Sequence, residues 1–384
     1  MSPRTRSRDT DARWMARAVA LAGRALGRTF PNPPVGAVFV KRGRVVGEGW
    51  TAPAGGPHAE IAALRRAGAR ARGADLYVTL EPCAHVGRTP PCVDALLPLG
   101  LRRVVIAAVD PNPRVRGRSI RRLRAAGVRV TVGIGRDEAD ALTAGYRSRL
   151  LRGRPLVTLK LATSLDGRIA ARSGDARWIT GPAARRRAHV LRDVHDAVVV
   201  GAGTVRADDP RLTCRIAGGR DPIRVVLCGA GVSLPAKAQV LARGGAPTWI
   251  VAPRGASPSR VERLRRRAAQ VILIPARRGR MAFGDVVGAL GARGITSVLV
   301  EGGAVVARDA LRAGVVDRVV WFLAPALLGG DAVPAVAGLG IDRARDAVRL
   351  VDARVARLGG DLVLTASVAG RNGRRPFASS WPPR

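Results

Sequence analysis

Pro57-His58-Ala59-Glu60, followed by Glu81-Pro82-Cys83 and then Pro91-Cys92, is the stretch on which the reading of this chain turns. One short segment brings together an imidazole, two thiols and a carboxylate. Catalytic zinc sites take three nitrogen or sulfur ligands from the protein and leave a fourth position for water, whose pKa falls to about 7. His58, Cys83 and Cys92 match that stoichiometry, and Glu60 is left over as a proton carrier. An H-x-E followed by P-C and a second Cys is the mark of hydrolytic deamination of nucleobase-like rings, in which the glutamate moves protons and binds no metal. Here Ala84-His85-Val86-Gly87-Arg88-Thr89-Pro90-Pro91 separates the two cysteines, a loop in place of a single helical turn. The competing readings are that His58 merely caps the helix beginning beside it and that the cysteines are small buried hydrophobes.

Working outward, apolar periodicity predicts a helix over residues 13–26 and strands over 35–40 and 45–50, joined by a turn at Arg42-Gly43. A helix over 58–68 carries His58 and Glu60 in its first turn, and a strand over 77–80 ends at Glu81-Pro82-Cys83. Strands over 104–109 and 128–132 follow, with a helix between them ending at residue 126 and another over 137–150. This α/β pattern predicts a mixed sheet with helices on both faces and ligands gathered at strand and helix ends. The second half alternates strands and helices, with strands over 156–162, 197–201, 223–227, 248–252, 271–274 and 297–300. Two later apolar runs, 319–323 and 362–368, lack helices between them and read as antiparallel edge strands. Gly201-Ala202-Gly203 lacks the third glycine of a dinucleotide fingerprint, since Arg206 stands there. Glu301-Gly302-Gly303, opening a helix, is a better phosphate cradle.

Several motifs point the same way. The zinc loop, residues 81–92, resembles that of the bifunctional riboflavin biosynthesis deaminase/reductase family, as do Met15-Ala-Arg-Ala18, Pro31-Asn-Pro-Pro-Val-Gly36 and Asp110-Pro-Asn-Pro-Arg-Val-Arg-Gly117. A second set, Lys160, Ser164-Leu-Asp-Gly-Arg168, Trp178-Ile-Thr-Gly181, Thr204, Asp208-Asp-Pro-Arg-Leu-Thr213 and Glu301-Gly-Gly303, resembles the reductase half of that family. The resemblance covers residues 13–368. It implies an α/β protein with an N-terminal cytidine-deaminase-like three-layer α/β/α domain over residues 13–151 and a C-terminal dihydrofolate-reductase-like α/β domain over 152–370. Disordered tails are expected over 1–12 and 371–384.

The implied chemistry is zinc-dependent deamination of 2,5-diamino-6-(5-phosphoribosylamino)pyrimidin-4(3H)-one, then NADPH-dependent reduction of its ribosyl group to ribityl. Glu60 is the expected catalytic residue, and His58, Cys83 and Cys92 hold Zn2+. Asn32, His85, Arg88 and Asn112 are expected to bind the deaminase substrate, with Arg88 at its phosphate. In the reductase half Lys160, Arg192, Leu212, Arg215 and Glu301 are expected to hold substrate, and Ala162, Trp178, Thr204, Asp208, Gly302 and Gly303 to contact NADPH. Asp166 and Gly167 read as a turn. The chain departs from the family pattern at Thr51, Ser119, Thr143 and Ala176. Two alternatives stay open: a deaminase whose second domain is degenerate, and a nucleic-acid-binding editing deaminase.

The formal charge of +38 raises that last possibility, because basic surfaces bind phosphate backbones. Only three of 66 basic residues are lysines, Lys41, Lys160 and Lys237, and the 63 arginines are scattered through both halves, as a coding bias would scatter them. Aromatic residues make up 3%, too few to stack many bases. A small anionic substrate and no nucleic acid is therefore the expectation, with a homo-oligomeric, cytoplasmic enzyme as its setting. Cys214 and Cys228 are expected to be buried thiols. No apolar run is long enough to span a membrane, and the arginine-bearing start has no apolar signal region.

Overall fold

Arg42 and Gly43 both adopt the left-handed conformation, with φ of 49° and 71°, and close the hairpin between β1 (Gly36–Lys41) and β2 (Arg44–Trp50). The computed structural model describes residues 3–87, 90–231, 234–242, 244–267 and 270–370. Two compact units divide between Arg152 and Gly153.

In the first unit α1 (Pro3–Gly23) packs Met15, Ala18 and Ala22 onto the sheet. Gly36 permits this approach, since a Cβ there would lie 1.9 Å from the Ala18 carbonyl oxygen. α2 (Ala59–Ala67) crosses β2, and β3 (Asp75–Leu80), buried throughout, leads to α3 (Cys92–Leu96). Then come β4 (Arg103–Ala108), α4 (Arg118–Ala125), β5 (Arg129–Val132), α5 (Arg136–Leu142) and α6 (Ala144–Arg152). The sheet order is β2-β1-β3-β4-β5, parallel from β3 to β5.

Two expectations need correction here. The tail foreseen over residues 1–12 is helical from Pro3, and Asp11 is buried. Its carboxylate accepts hydrogen bonds from the Tyr77 hydroxyl at 2.7 Å and from Arg103 at 2.6 and 2.9 Å. The helix runs on because that polar network, invisible to an apolar pattern, anchors it to the sheet. Residues 1, 2 and 371–384 of the expected tails lie outside the described residues. The single helix foreseen over 137–150 is broken between Leu142 and Ala144, where the buried Thr143 hydroxyl donates to Ala139 O at 2.8 Å.

The second unit contains β6 (Leu156–Ser164), β7 (Arg168–Ala170), α7 (Pro182–Val194), β8 (Ala197–Gly201), α8 (Ala202–Asp208), β9 (Ile223–Leu227), β10 (Thr248–Pro253), α9 (Pro258–Arg265), β11 (Gln270–Ile274), α10 (Phe283–Ala292), β12 (Ser297–Val300), α11 (Ala304–Arg312), β13 (Arg318–Ala324), β14 (Val333–Pro334), β15 (Leu350–Leu358) and β16 (Asp361–Val368). Nine strands form one sheet in the order β11-β10-β9-β8-β12-β6-β13-β16-β15, parallel from β11 to β13. Neither 319–323 nor 362–368 therefore forms an edge: β13 is interior, parallel to β6 and antiparallel to β16, and β16 lies between β13 and β15. The edge is β15, whose mostly exposed residues carry no apolar alternation to reveal it.

Buried side chains fix this sheet to its helices. His195, just past α7, hydrogen-bonds through Nε2 with the Thr158 hydroxyl at 2.9 Å and through Nδ1 with Leu191 O at 2.7 Å. Asp196 accepts from the backbone of Thr296 and Ser297 at 2.7 and 3.0 Å. The foreseen turn at Asp166-Gly167 is present, with Asp166 accepting from the Gly329 amide at 2.8 Å.

Candidate active sites

The first site forms where β3 and α2 meet. His58 occupies the N-cap position of α2 but makes no capping hydrogen bond, so its imidazole is free for other work. β3 delivers Cys83, and the start of α3 delivers Cys92. His58 Nδ1 lies 3.6 Å from Cys83 Sγ and 3.3 Å from Cys92 Sγ, with all three donor atoms within 4.8 Å of one another. Nitrogen and sulfur ligands of one tetrahedral zinc stand about 3.5 Å apart, from bond lengths of roughly 2.05 and 2.3 Å. The donor set and its spacing fit zinc.

Electrostatics prepare the same ligands. The Cys92 amide donates to Cys83 Sγ at 3.1 Å, and the hydrogen bond from the Cys92 thiol lowers Cys83 to about 4. Cys92, the donor of the pair, is pushed up by that same bond; metal binding requires both as thiolates. Glu60, in the first turn of α2, is buried, and that burial raises its carboxyl to about 7, helped by the Cys83 charge. Such a group exchanges protons readily at neutral pH.

His58, Glu60 and Cys83 wall a cavity of about 440 Å³, which also takes in Asn32, His85 and Asn112. His85 Nδ1 is buried without a hydrogen-bond partner. Asn112 Oδ1 accepts from the Arg114 amide at 3.0 Å. Arg88 lies outside the described residues. Thr51 is on the same wall, its hydroxyl accepting from the Val35 amide at 3.1 Å, whereas Ser119 and Thr143 are buried in backbone hydrogen bonds away from it.

Sequence reasoning missed two features. Glu81 accepts from the amides of Gly117, Ser119 and Asp110 at 2.9, 3.2 and 3.4 Å, pinning the following loop to the metal-ligand strand. Tyr146 and Arg149, from α6, also line the cavity, and the Tyr146 hydroxyl donates to Asp110 Oδ1 at 3.1 Å. A helical register alone could not aim them there.

The second site lies at the carboxyl ends of the parallel strands. A cavity of about 620 Å³ gathers Lys160, Arg192, Leu212, Arg215 and Glu301 together with Ala162, Trp178, Thr204 and Asp208. Arg192 grips Glu301 with two hydrogen bonds, Nε to Oε1 at 2.7 Å and Nη2 to Oε2 at 2.8 Å, and Lys160 Nζ stands 3.9 Å from Oε2. Burial opposes the charged form of Glu301, yet the Arg192 guanidinium, with Lys160 behind it, holds its pKa down to about 2. Burial lowers Lys160, and the neighbouring Glu301 charge offsets part of that. Trp178 is 70% exposed, with the Arg185 guanidinium 4.5 Å above its ring. Ala176 shares the wall.

Gly303 lines an adjoining cavity of about 960 Å³, and its amide donates to the Thr204 hydroxyl at 3.2 Å. A glycine opening α11 beside Gly201 and Gly203 leaves room for a dinucleotide diphosphate, so the residues fit NADPH. Gly302 is on neither wall; a Cβ there would meet Val306 at 2.5 Å, so its glycine serves packing. Cys228 is buried, which pushes its thiol up to about 12, but Cys214, expected to be buried, is partly exposed because its loop runs along the surface of α7. All four cysteines are free thiols. No helix among the described residues is long and apolar enough to cross a membrane.

Residues 8–108 match the cytidine and deoxycytidylate deaminase zinc-binding region, and residues 155–364 match the RibD C-terminal domain. The riboflavin biosynthesis protein RibD of Bacillus amyloliquefaciens is 42% identical over 355 residues, covering 92% of this chain and 95% of that protein. RibD of Escherichia coli K12 is 41% identical over 367 residues, covering 92% and 98%. Among solved structures, Acinetobacter baumannii RibD aligns with a TM-score of 0.83 at 37% identity, covering 94% of this chain and 99% of that one. A Thermotoga maritima diaminohydroxyphosphoribosylaminopyrimidine deaminase/5-amino-6-(5-phosphoribosylamino)uracil reductase gives 0.83 at 34% identity, with the same coverage. Fold and sites thus define a bifunctional enzyme, a zinc-type deaminase and a reductase in one chain. The chain belongs to the RibD family of riboflavin biosynthesis proteins.

Proposed function

We propose that the first unit deaminates 2,5-diamino-6-(5-phosphoribosylamino)pyrimidin-4(3H)-one and the second reduces the ribosyl group of the product to ribityl, giving 5-amino-6-(5-phosphoribitylamino)uracil for riboflavin synthesis. The observation that carries this reading is the convergence of His58, Cys83 and Cys92 on one point beside the buried Glu60. Zinc held by those three side chains supplies Lewis acidity towards water. Deamination adds water at the amidine carbon of the ring and expels ammonia. Glu60 accepts the proton of the attacking water and passes it to the departing amine, a role suited to a carboxyl near neutrality. Asn32, His85 and Asn112 present amides and an imidazole to the polar edges of the ring, and Arg88 is assigned to the phosphate.

In the second unit NADPH supplies a hydride. Reduction at the anomeric carbon opens the sugar ring, whose oxygen then needs a proton, and Lys160 beside Glu301 is the group assigned to deliver it. Arg192 is committed to Glu301 and to Thr213 O at 3.0 Å, which leaves Arg215 to meet the substrate phosphate. Ala162, Trp178, Thr204, Asp208 and Gly303 are assigned to the cofactor. We place this chemistry in the cytoplasm, in a homo-oligomer acting on a small molecule and not on nucleic acid; Cys214 and Cys228, the two cysteines outside the metal set, form no disulfide, as fits a reducing compartment.

The test follows ammonia release and NADPH absorbance together, with zinc-loaded protein and the diaminopyrimidinone ribotide. Ammonia followed by stoichiometric loss of NADPH is expected. Ammonia without NADPH loss would refute the assignment of the second unit, and neither would refute both.

A further inference from the structure

The cavity of the second unit continues beyond the residues assigned above. Its two parts share Ile169, Ala176, Thr204 and Asp208. The further part passes the N-terminus of α11 and reaches Cys228 and Gly229 at the end of β9. Its wall there carries Arg280, Arg308 and Asp309. Asp309 Oδ1 accepts from Arg308 Nε at 2.9 Å and lies 2.8 Å from Arg308 Nη2 and 3.5 Å from Arg280 Nη2. One carboxylate therefore holds two guanidinium groups. Arg206 brings a third positive charge to the same wall, close enough to act on the Cys228 thiol.

A dinucleotide with its nicotinamide beside Ala162 and Trp178 and its diphosphate at Gly303 has its adenosine ribose in this further part. NADPH and NADH differ there by one phosphate. In dinucleotide sites an acidic residue favours the free ribose 2′-hydroxyl, and an arginine accommodates a 2′-phosphate. Both kinds of residue are present here, and they are bound to each other.

We propose that Arg308 and Arg280 set the preference for NADPH over NADH, binding the adenosine 2′-phosphate while they neutralise Asp309. An unpaired Asp309 would repel the phosphate and accept the hydroxyl of NADH. The pair can do both, because a guanidinium has five N–H donors and Asp309 engages only some of them. Arg308, 18% exposed, is the more tightly held member, 2.8 Å from Asp309, and Arg280, 67% exposed, the looser one at 3.5 Å. The inference rests on the reading of the second unit as an NADPH-dependent reductase.

The experiment titrates the full-length, zinc-loaded protein with NADPH and with NADH, following the fluorescence of the bound cofactor, and repeats both titrations on Arg308→Gln, Arg280→Gln and Asp309→Asn. Wild type should prefer NADPH. Arg308→Gln should weaken NADPH about 10- to 100-fold, the range of one charge-assisted hydrogen bond, and leave NADH unchanged or tighter. Arg280→Gln, at an exposed position that folding does not need, should move NADPH in the same direction by a smaller factor. Asp309→Asn should not weaken NADPH. As a second probe, 2′,5′-ADP should compete better than 5′-ADP for wild type and lose that advantage in Arg308→Gln. Equal weakening of both cofactors, or no change in their ratio in either arginine variant, would overturn the proposal while the reductase reading stands. Wild type that binds neither dinucleotide would overturn both.

Discussion

Replacing Arg192 with leucine should destabilise the second unit far more than removing Arg192 and Glu301 together. Glu301 has a side-chain exposure of 7% and Arg192 of 13%, and their two hydrogen bonds are the closest polar contacts either makes in the cavity. Removing one partner of a buried pair leaves the other charge uncompensated and costs about 3 to 5 kcal/mol. Lys160, 3.9 Å away, still partners Glu301, so the lower end, about 3 kcal/mol, applies to Arg192→Leu. For a unit of this size that corresponds to a fall in melting temperature of about 6 to 12 °C. The double variant Arg192→Leu/Glu301→Leu removes both desolvation penalties, leaves Lys160 to shed its proton in place of its lost counter-charge, and should recover at least half of the loss. Urea denaturation of wild type, both single variants and the double variant gives the coupling directly. The pH dependence has a fixed sign: a carboxyl held near 2 against an ordinary 4.5 contributes its full stability above pH 4.5 and loses it as pH falls towards 2. A cost below about 1 kcal/mol for Arg192→Leu, or strict additivity in the double variant, would refute the view that this ion pair is desolvated and mutually dependent.

Glu60→Gln should cut ammonia release by about 10²- to 10⁴-fold while zinc content and NADPH titration stay as in wild type; lost zinc would reassign Glu60 to the metal. His195 is buried and neutral, its pKa lowered to about 4 by burial, so the native state resists a proton that the unfolded chain takes up below 6.5. Stability should therefore fall as pH drops from 6.5 to about 4, by roughly 3 kcal/mol in all, and His195→Asn should flatten that part of the pH profile. Gly36→Ala should cost about 3 kcal/mol, because its Cβ would enter the Ala18 carbonyl in the backbone of α1; an unchanged melting profile would contradict that packing.

The metal cradle was legible in the sequence because its chemistry needs particular residue types, and His58, Cys83 and Cys92 have few other reasons to stand in that order. The reductase wall was legible only by resemblance: Arg192 and Arg215 are two arginines among 63, and nothing in their neighbours marks them. Central strands such as β3 and β8 announce themselves as short apolar runs, whereas β15 is exposed along almost its whole length and leaves no such trace. α1 was underestimated at its start for a related reason. The partners of Asp11 are Tyr77 and Arg103, distant in sequence, and a buried polar network has no periodicity to read.

Glu81 carries a consequence of its own. Two residues before a metal ligand, its carboxylate collects the amides of Asp110, Gly117 and Ser119, so one side chain staples the loop to the strand at both of the loop's ends. Between the staples, residues 112–116 make no bond to Glu81, and Asn112 and Arg114 face the cavity. The loop is thereby partitioned into a support that keeps the cradle in register and a short insert that can be rewritten for a different ring substituent. A redesign of substrate choice belongs in that insert, with the stapled positions left alone.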